Sequence, residues 1–209
     1  MACSAFSRIP REIANQQVAQ RQCVRQCPDA FNCGIKLALH GARFWNGAET
    51  VLSFDDLLAR SDCITFGVDG GGLDDLFGLA AIGRERETRR WLVWAHAYCH
   101  STVLHRRQEI AAELQRFAAD GHLTIIERLG EDIDGVVAHI LRARDADLLP
   151  EREAIGMDPY GIGEVVDALV DAGLSIDQIS SVSQGFKMMG AIKTVERKVA
   201  DGTLVHGGQ

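Results

Sequence analysis

Asp69 is the residue in this sequence whose setting most calls for a chemical explanation. It ends an apolar segment and is followed by Gly70, Gly71 and Gly72. A carboxylate at the end of a buried strand costs stability unless something uses it. The glycines clear side chains from beside it, so that a phosphate backbone could approach closely. Asp74 and Asp75 follow within a turn of chain, and Asp158 closes a second short apolar run before Pro159. If the two strands are parallel neighbours, Asp69 and Asp158 converge at one edge of a sheet. Convergent carboxylates are hard oxygen donors suited to Mg²⁺ or Mn²⁺. A pair of such ions can activate water and stabilise the leaving oxygen of a phosphodiester. Each acidic residue also has a plainer reading as a turn or cap residue. That reading is strongest for Asp74, which reads as a solvated turn residue.

The elements that must hold these groups are legible from residue 61 onward. Ile64, Phe66 and Val68 alternate with smaller residues, as a strand requires. Apolar runs at 76–83 and 91–97 flank the charged tip Arg84–Arg90, predicting an antiparallel meander of three strands. Helical stripes (Ile110 to Ala118, Ile133 to Leu141, Ile162 to Val170, Phe186 to Ala200) then alternate with strands at 123–126, 154–157 and 179–183. Gly121 and Gly173 read as helix stops. The pattern predicts an α/β fold in which the meander is followed by parallel strands flanked by helices. Residues 1–60 read as a leader or linker with one capped helix after Ser53, and 61–209 as the folded domain.

Composition sets wider bounds. The 209 residues are 46% hydrophobic and 24% charged, values typical of a globular protein. No apolar run approaches the ~18 residues of a membrane span, and the first residues lack the apolar stretch of a secretory signal. A cytoplasmic location in a bacterial cell is expected. The net charge of −7 argues against a nucleic-acid partner, but a site that binds cations through carboxylates can be acidic overall. Cys23, Cys27 and Cys33, with His40, are close enough to suggest zinc, yet their gaps match no ligand pattern; free thiols are the better reading. His96, His100 and His105 read as ordinary histidines, and Trp91 and Trp94 as packing residues.

Several segments, in order, resemble the nuclease domain of bacteriophage large terminase subunits. These are Val68–Ala80, Trp91–Ala97, Asp158–Gly163, Ser183–Lys187 and Ala191–Gly208, within a resemblance that runs from about Phe54 to Gln209. It implies a ribonuclease-H-like fold with Asp69 on the first strand and Asp158 on an adjacent one. It also implies a metal-dependent endonuclease that cuts concatemeric double-stranded DNA during genome packaging. Asp69, Asp158 and Asp75 would be catalytic and would bind Mg²⁺ or Mn²⁺. Lys193, Arg197 and Lys198, close together on the last helix, could contact DNA phosphates, though a solvated face explains them as well. The implied partners are double-stranded DNA, the small terminase subunit and the procapsid portal.

The family places an ATPase domain before the nuclease, and no G-x-x-x-x-G-K-[ST] phosphate loop occurs here. It also supplies a later acidic residue, so the domain is expected to be truncated at its C-terminus. Two other readings compete. Actin-like sugar kinases also open with a strand, an Asp and a glycine-rich turn that cradles ATP. A catalytically incomplete prophage remnant would act only as a docking module.

Overall fold

The computed structural model describes residues 52–70, 73, 75–158, 163–182 and 189–206. The expected leader up to residue 51, with its cysteines, and Asp74 lie outside the described residues.

The described chain begins with α1 (Phe54–Arg60). Ser53 caps it: the hydroxyl accepts from the Asp56 N–H at 3.0 Å, and the Asp56 carboxylate accepts from the Ser53 N–H at 3.0 Å. Such a reciprocal box satisfies two donors that a helix start would otherwise leave unmet. Leu52, Phe54 and Leu57 are buried in the main core, so this helix packs as part of the same body as the sheet, although its sequence reads with the leader.

The meander follows as β1 (Ser61–Asp69), β2 (Phe77–Glu85) and β3 (Trp91–His100). β1 and β2 pair antiparallel, as do β2 and β3. The β2–β3 turn is held by ions rather than by apolar packing. Buried Glu85 accepts from Arg60, Thr88 and Arg90, while Arg84 and Arg89 both meet Asp62. The arginine-rich tip is thus largely committed to the fold.

The helices α2 (Thr102–Arg106) and α3 (Gln108–Ala119) lead to β4 (Leu123–Ile126), and α4 (Glu131–Asp145) leads to β5 (Ile155–Met157). After α5 (Gly163–Asp171), Gly173 adopts φ +91°, the left-handed geometry that ends helices. The chain then forms β6 (Ile179–Ser181), α6 (Met189–Ala200) and β7 (Leu204–His206). The sheet order is β4-β3-β2-β1-β5-β6, with β7 also on β3. Every pairing outside the meander is parallel, so β2 alone among the described strands runs against the rest. The expected meander with following parallel strands is therefore the observed sheet.

Alternation along β1 gives each sheet face its own cover. Ile64, Phe66 and Val68, beside Ile155 and Met157 of β5, form the main core with α1, Val136 and Ile140 of α4, and Val165 and Leu169 of α5. On the opposite face, α3 brings Leu114 over Cys99 and Leu123. There α6 also sets Val195 and Val199 against Ile82, Trp91 and Leu204. Fully burying a side chain of this size contributes about 1.5–3 kcal/mol, which is what fixes the strands that carry the acidic residues.

Candidate metal centre

The pairing of β1 with β5 sets the geometry of the site. The register is parallel: Phe66 stands opposite Ile155, Gly67 opposite Gly156, and Val68 opposite Met157. Asp69 and Asp158 are the next residues on each side of that ladder. Continuing the register by one residue sets them opposite each other, on the face that carries Gly67 and Gly156. Adjacent strands lie about 4.8 Å apart, close enough for carboxylates carried on both to reach a common cation. Both aspartates are half-buried.

Space is kept open beside the pair. Gly78 faces Asp69 across the antiparallel ladder, and a Cβ built there would come no nearer than 4.0 Å to Asp69 Cβ. On β1 and β5 themselves, the residues two before the aspartates are Gly67 and Gly156, which add no side chain directly behind the carboxylates. Hard oxygen donors on a rigid strand pair, with room on the open side, fit Mg²⁺ or Mn²⁺.

The other expected site residues fare differently. Asp75 is exposed in the turn before β2, and its Oδ1 accepts from the Leu76 N–H at 2.8 Å. Among the described residues no three His, Cys, Asp or Glu side chains group as a metal site, so Asp75 does not join the pair there. On α6, Lys193 and Arg197 are exposed one helical turn apart. The Lys198 ammonium instead lies 4.2 Å from the centroid of the Trp91 ring, a cation–π contact within the protein.

The three histidines near the end of β3 go separate ways. His100 Nδ1 faces the Thr102 N–H and hydroxyl, at 3.2 and 3.0 Å, and Nε2 faces the Glu127 carbonyl at 3.1 Å. It clamps β3 to the end of β4. His105 is exposed. His96 stacks on Trp94 with ring planes 2° apart and lies 6.0 Å from His139 of α4. Burial and then the nearby His139 and His122 push its pKa down to about 4. Burial likewise lowers the His139 pKa. Both tryptophans are buried packing residues, as expected.

Sequence reasoning missed α2. Its Thr102 hydroxyl lies 3.3 Å from the Leu73 carbonyl, tying the helix to the loop that leaves Asp69. Val103 of α2 and Leu76 of that loop share one apolar cluster. A five-residue helix with one buried position leaves no periodic signal to read.

A mixed sheet of this order, with a carboxylate at the end of its first strand and helices on both faces, defines the fold class as ribonuclease-H-like. In structure the chain is similar to the HK97 bacteriophage large terminase, at 23% sequence identity and a TM-score of 0.53. The match covers 75% of this chain and 33% of that one, so the chain spans about a third of the length of the terminase it resembles. At that identity the likeness is one of fold. No protein-family model matches the sequence, and no curated protein matches it.

Proposed function

We propose that this chain is the metal-dependent endonuclease domain of a phage large terminase, which cuts concatemeric double-stranded DNA during genome packaging. The observation that carries the reading is the parallel β1–β5 ladder, whose last pair, Val68 and Met157, is followed in each segment by an aspartate, Asp69 and Asp158. The fold shared with the HK97 large terminase adds to it. In this reading Asp69 and Asp158 hold Mg²⁺ or Mn²⁺. The bound ion supplies the activation of water and the stabilisation of the leaving oxygen in phosphodiester hydrolysis.

The chain's own part is positional. β1 and β5 hold the carboxylates rigidly, Gly78 keeps the approach to Asp69 open, and Lys193 and Arg197 offer cationic groups to DNA phosphates. Lys198 is the weakest of the three expected DNA contacts, because its ammonium is already engaged by Trp91. Asp75 enters only as an exposed carboxylate on the approach. Interaction with a small terminase subunit and a portal belongs to the same proposal.

The test is nicking of supercoiled plasmid in Mn²⁺ or Mg²⁺ by the full chain and by Asp69→Asn. Cleavage by the parent chain that is lost in the variant supports the reading. Cleavage that continues undiminished in the variant removes Asp69 from the chemistry. Absence of cleavage and of metal binding in the parent favours the docking-module alternative.

A further inference from the structure

Resting on the nuclease reading, we infer that α2 and the residue after it form a second phosphate-gripping patch, made by His105, Arg106 and Arg107 on the β3 side of the Asp69 loop. Two observations bring these residues to the site. β3 runs parallel to β1 with only β2 between them, so His100 and Asp69 end at the same edge of the sheet. α2 starts there, and the contact of Thr102 with the Leu73 carbonyl fastens it to the loop leaving Asp69.

The patch is rigidly mounted. Val103, 1% exposed, anchors α2 in the cluster with Leu76, Cys99 and Leu114, and the Arg107 N–H donates to the Val103 carbonyl at 2.8 Å. His105 and Arg106 are exposed and Arg107 is half-buried. Three consecutive basic side chains stand out in a chain of net charge −7. Both arginines have interactions within the protein. A guanidinium carries five N–H donors in a fixed fork, so an internal partner orients it and still leaves donors for a phosphate. Duplex DNA presents one negative charge per ~1.7 Å of its axis. A cationic patch on the β3 side of Asp69 would then fix the register of the backbone at the carboxylates, apart from any hold that α6 has on the duplex.

The experiment is the salt dependence of duplex binding in metal-free buffer, using the full chain, R106Q, R107Q and, as an independent comparison, K193Q/R197Q. The expected result is weaker binding by R106Q and R107Q on every duplex sequence. The slope of log K against log salt should fall by about 1 for each phosphate that is no longer neutralised. Melting curves matching the parent show that the variants are folded; R106K, which keeps the charge, should recover most of the slope. Unchanged affinity and slope in folded R106Q and R107Q overturn the inference while leaving the nuclease reading intact if the parent still cuts. A parent chain that neither binds nor cuts duplex overturns both.

Discussion

Gly78 stands directly across the ladder from Asp69, and a Cβ added there would sit 4.0 Å from Asp69 Cβ. That distance is ordinary van der Waals contact, so Gly78→Ala should keep both fold and cleavage. A branched side chain would extend over the carboxylate and occupy the approach. Gly78→Val is therefore expected to melt near the parent temperature while losing most of its Mn²⁺-dependent nicking. Equal activity in the two variants would show that the space is unused.

If the proposed centre binds metal, removing Asp158 should disable it as fully as removing Asp69, because in that proposal each supplies half of the pair. Calorimetric titration with Mn²⁺ should show Asp158→Asn losing affinity by more than the roughly 100-fold that outer-shell changes at metal sites reach. Retained tight binding in Asp158→Asn would separate the two strand ends functionally.

Acid should destabilise the protein before its carboxylates titrate. His96 is held neutral in the fold, with its pKa depressed from 6.5 to about 4 by burial and by His139 and His122. The unfolded chain binds that proton more readily, so the contribution is complete above pH 6.5 and is lost as pH falls toward 4. Glu85 acts lower. Burial opposes its charge, but hydrogen bonds from Thr88, Arg60 and Arg90 bring its pKa down to about 2, so its contribution fades below its ordinary 4.5. Denaturant melts at about pH 7, 5.5 and 4.5 should show a fall in stability that His96→Asn flattens. Titration of His96 near its ordinary 6.5 by NMR would contradict the mechanism.

Position 135 is crowded against the ring of Tyr98. A Cβ there would lie 2.5 Å from Tyr98 Cε1, inside any real contact distance, and Tyr98 is itself fixed by His139 Nδ1 at 3.2 Å from its hydroxyl. Gly135→Ala gains helix propensity but forces α4 off β3, a strain of about 1–3 kcal/mol. The midpoint of denaturation should fall accordingly. Pairing it with Tyr98→Leu, which removes the obstructing ring, should cost less than the sum of the two single changes.

The fold was largely readable because its elements follow the two elementary periods. Ile64, Phe66 and Val68 announced β1, and the stripe from Ile133 to Leu141 announced α4. What escaped was short or depended on distant pairing. β7 is three residues long after Gly202 and gains its identity only by lying beside Trp91–Val93. The aspartates were conspicuous by type and flanking residues, but no local feature states that β5 sits beside β1 in parallel register. That fact belongs to the crossover through α4. Asp75 follows Asp69 within a turn of chain in the sequence, and its hydrogen bond from the neighbouring Leu76 N–H shows how it serves that turn.

β5 meets β1 over only three paired positions, at the end of an excursion that builds β2, β3, β4 and α4 first. Closing so long a loop for so few contacts is entropically slow. Asp69 and Asp158 are thus brought to one edge of the sheet from positions far apart in the chain. Whatever work the pair performs needs both parts of the chain, and a polypeptide ending between α4 and β5 would lose Asp158 together with the core residues Ile155, Met157, Val165 and Leu169.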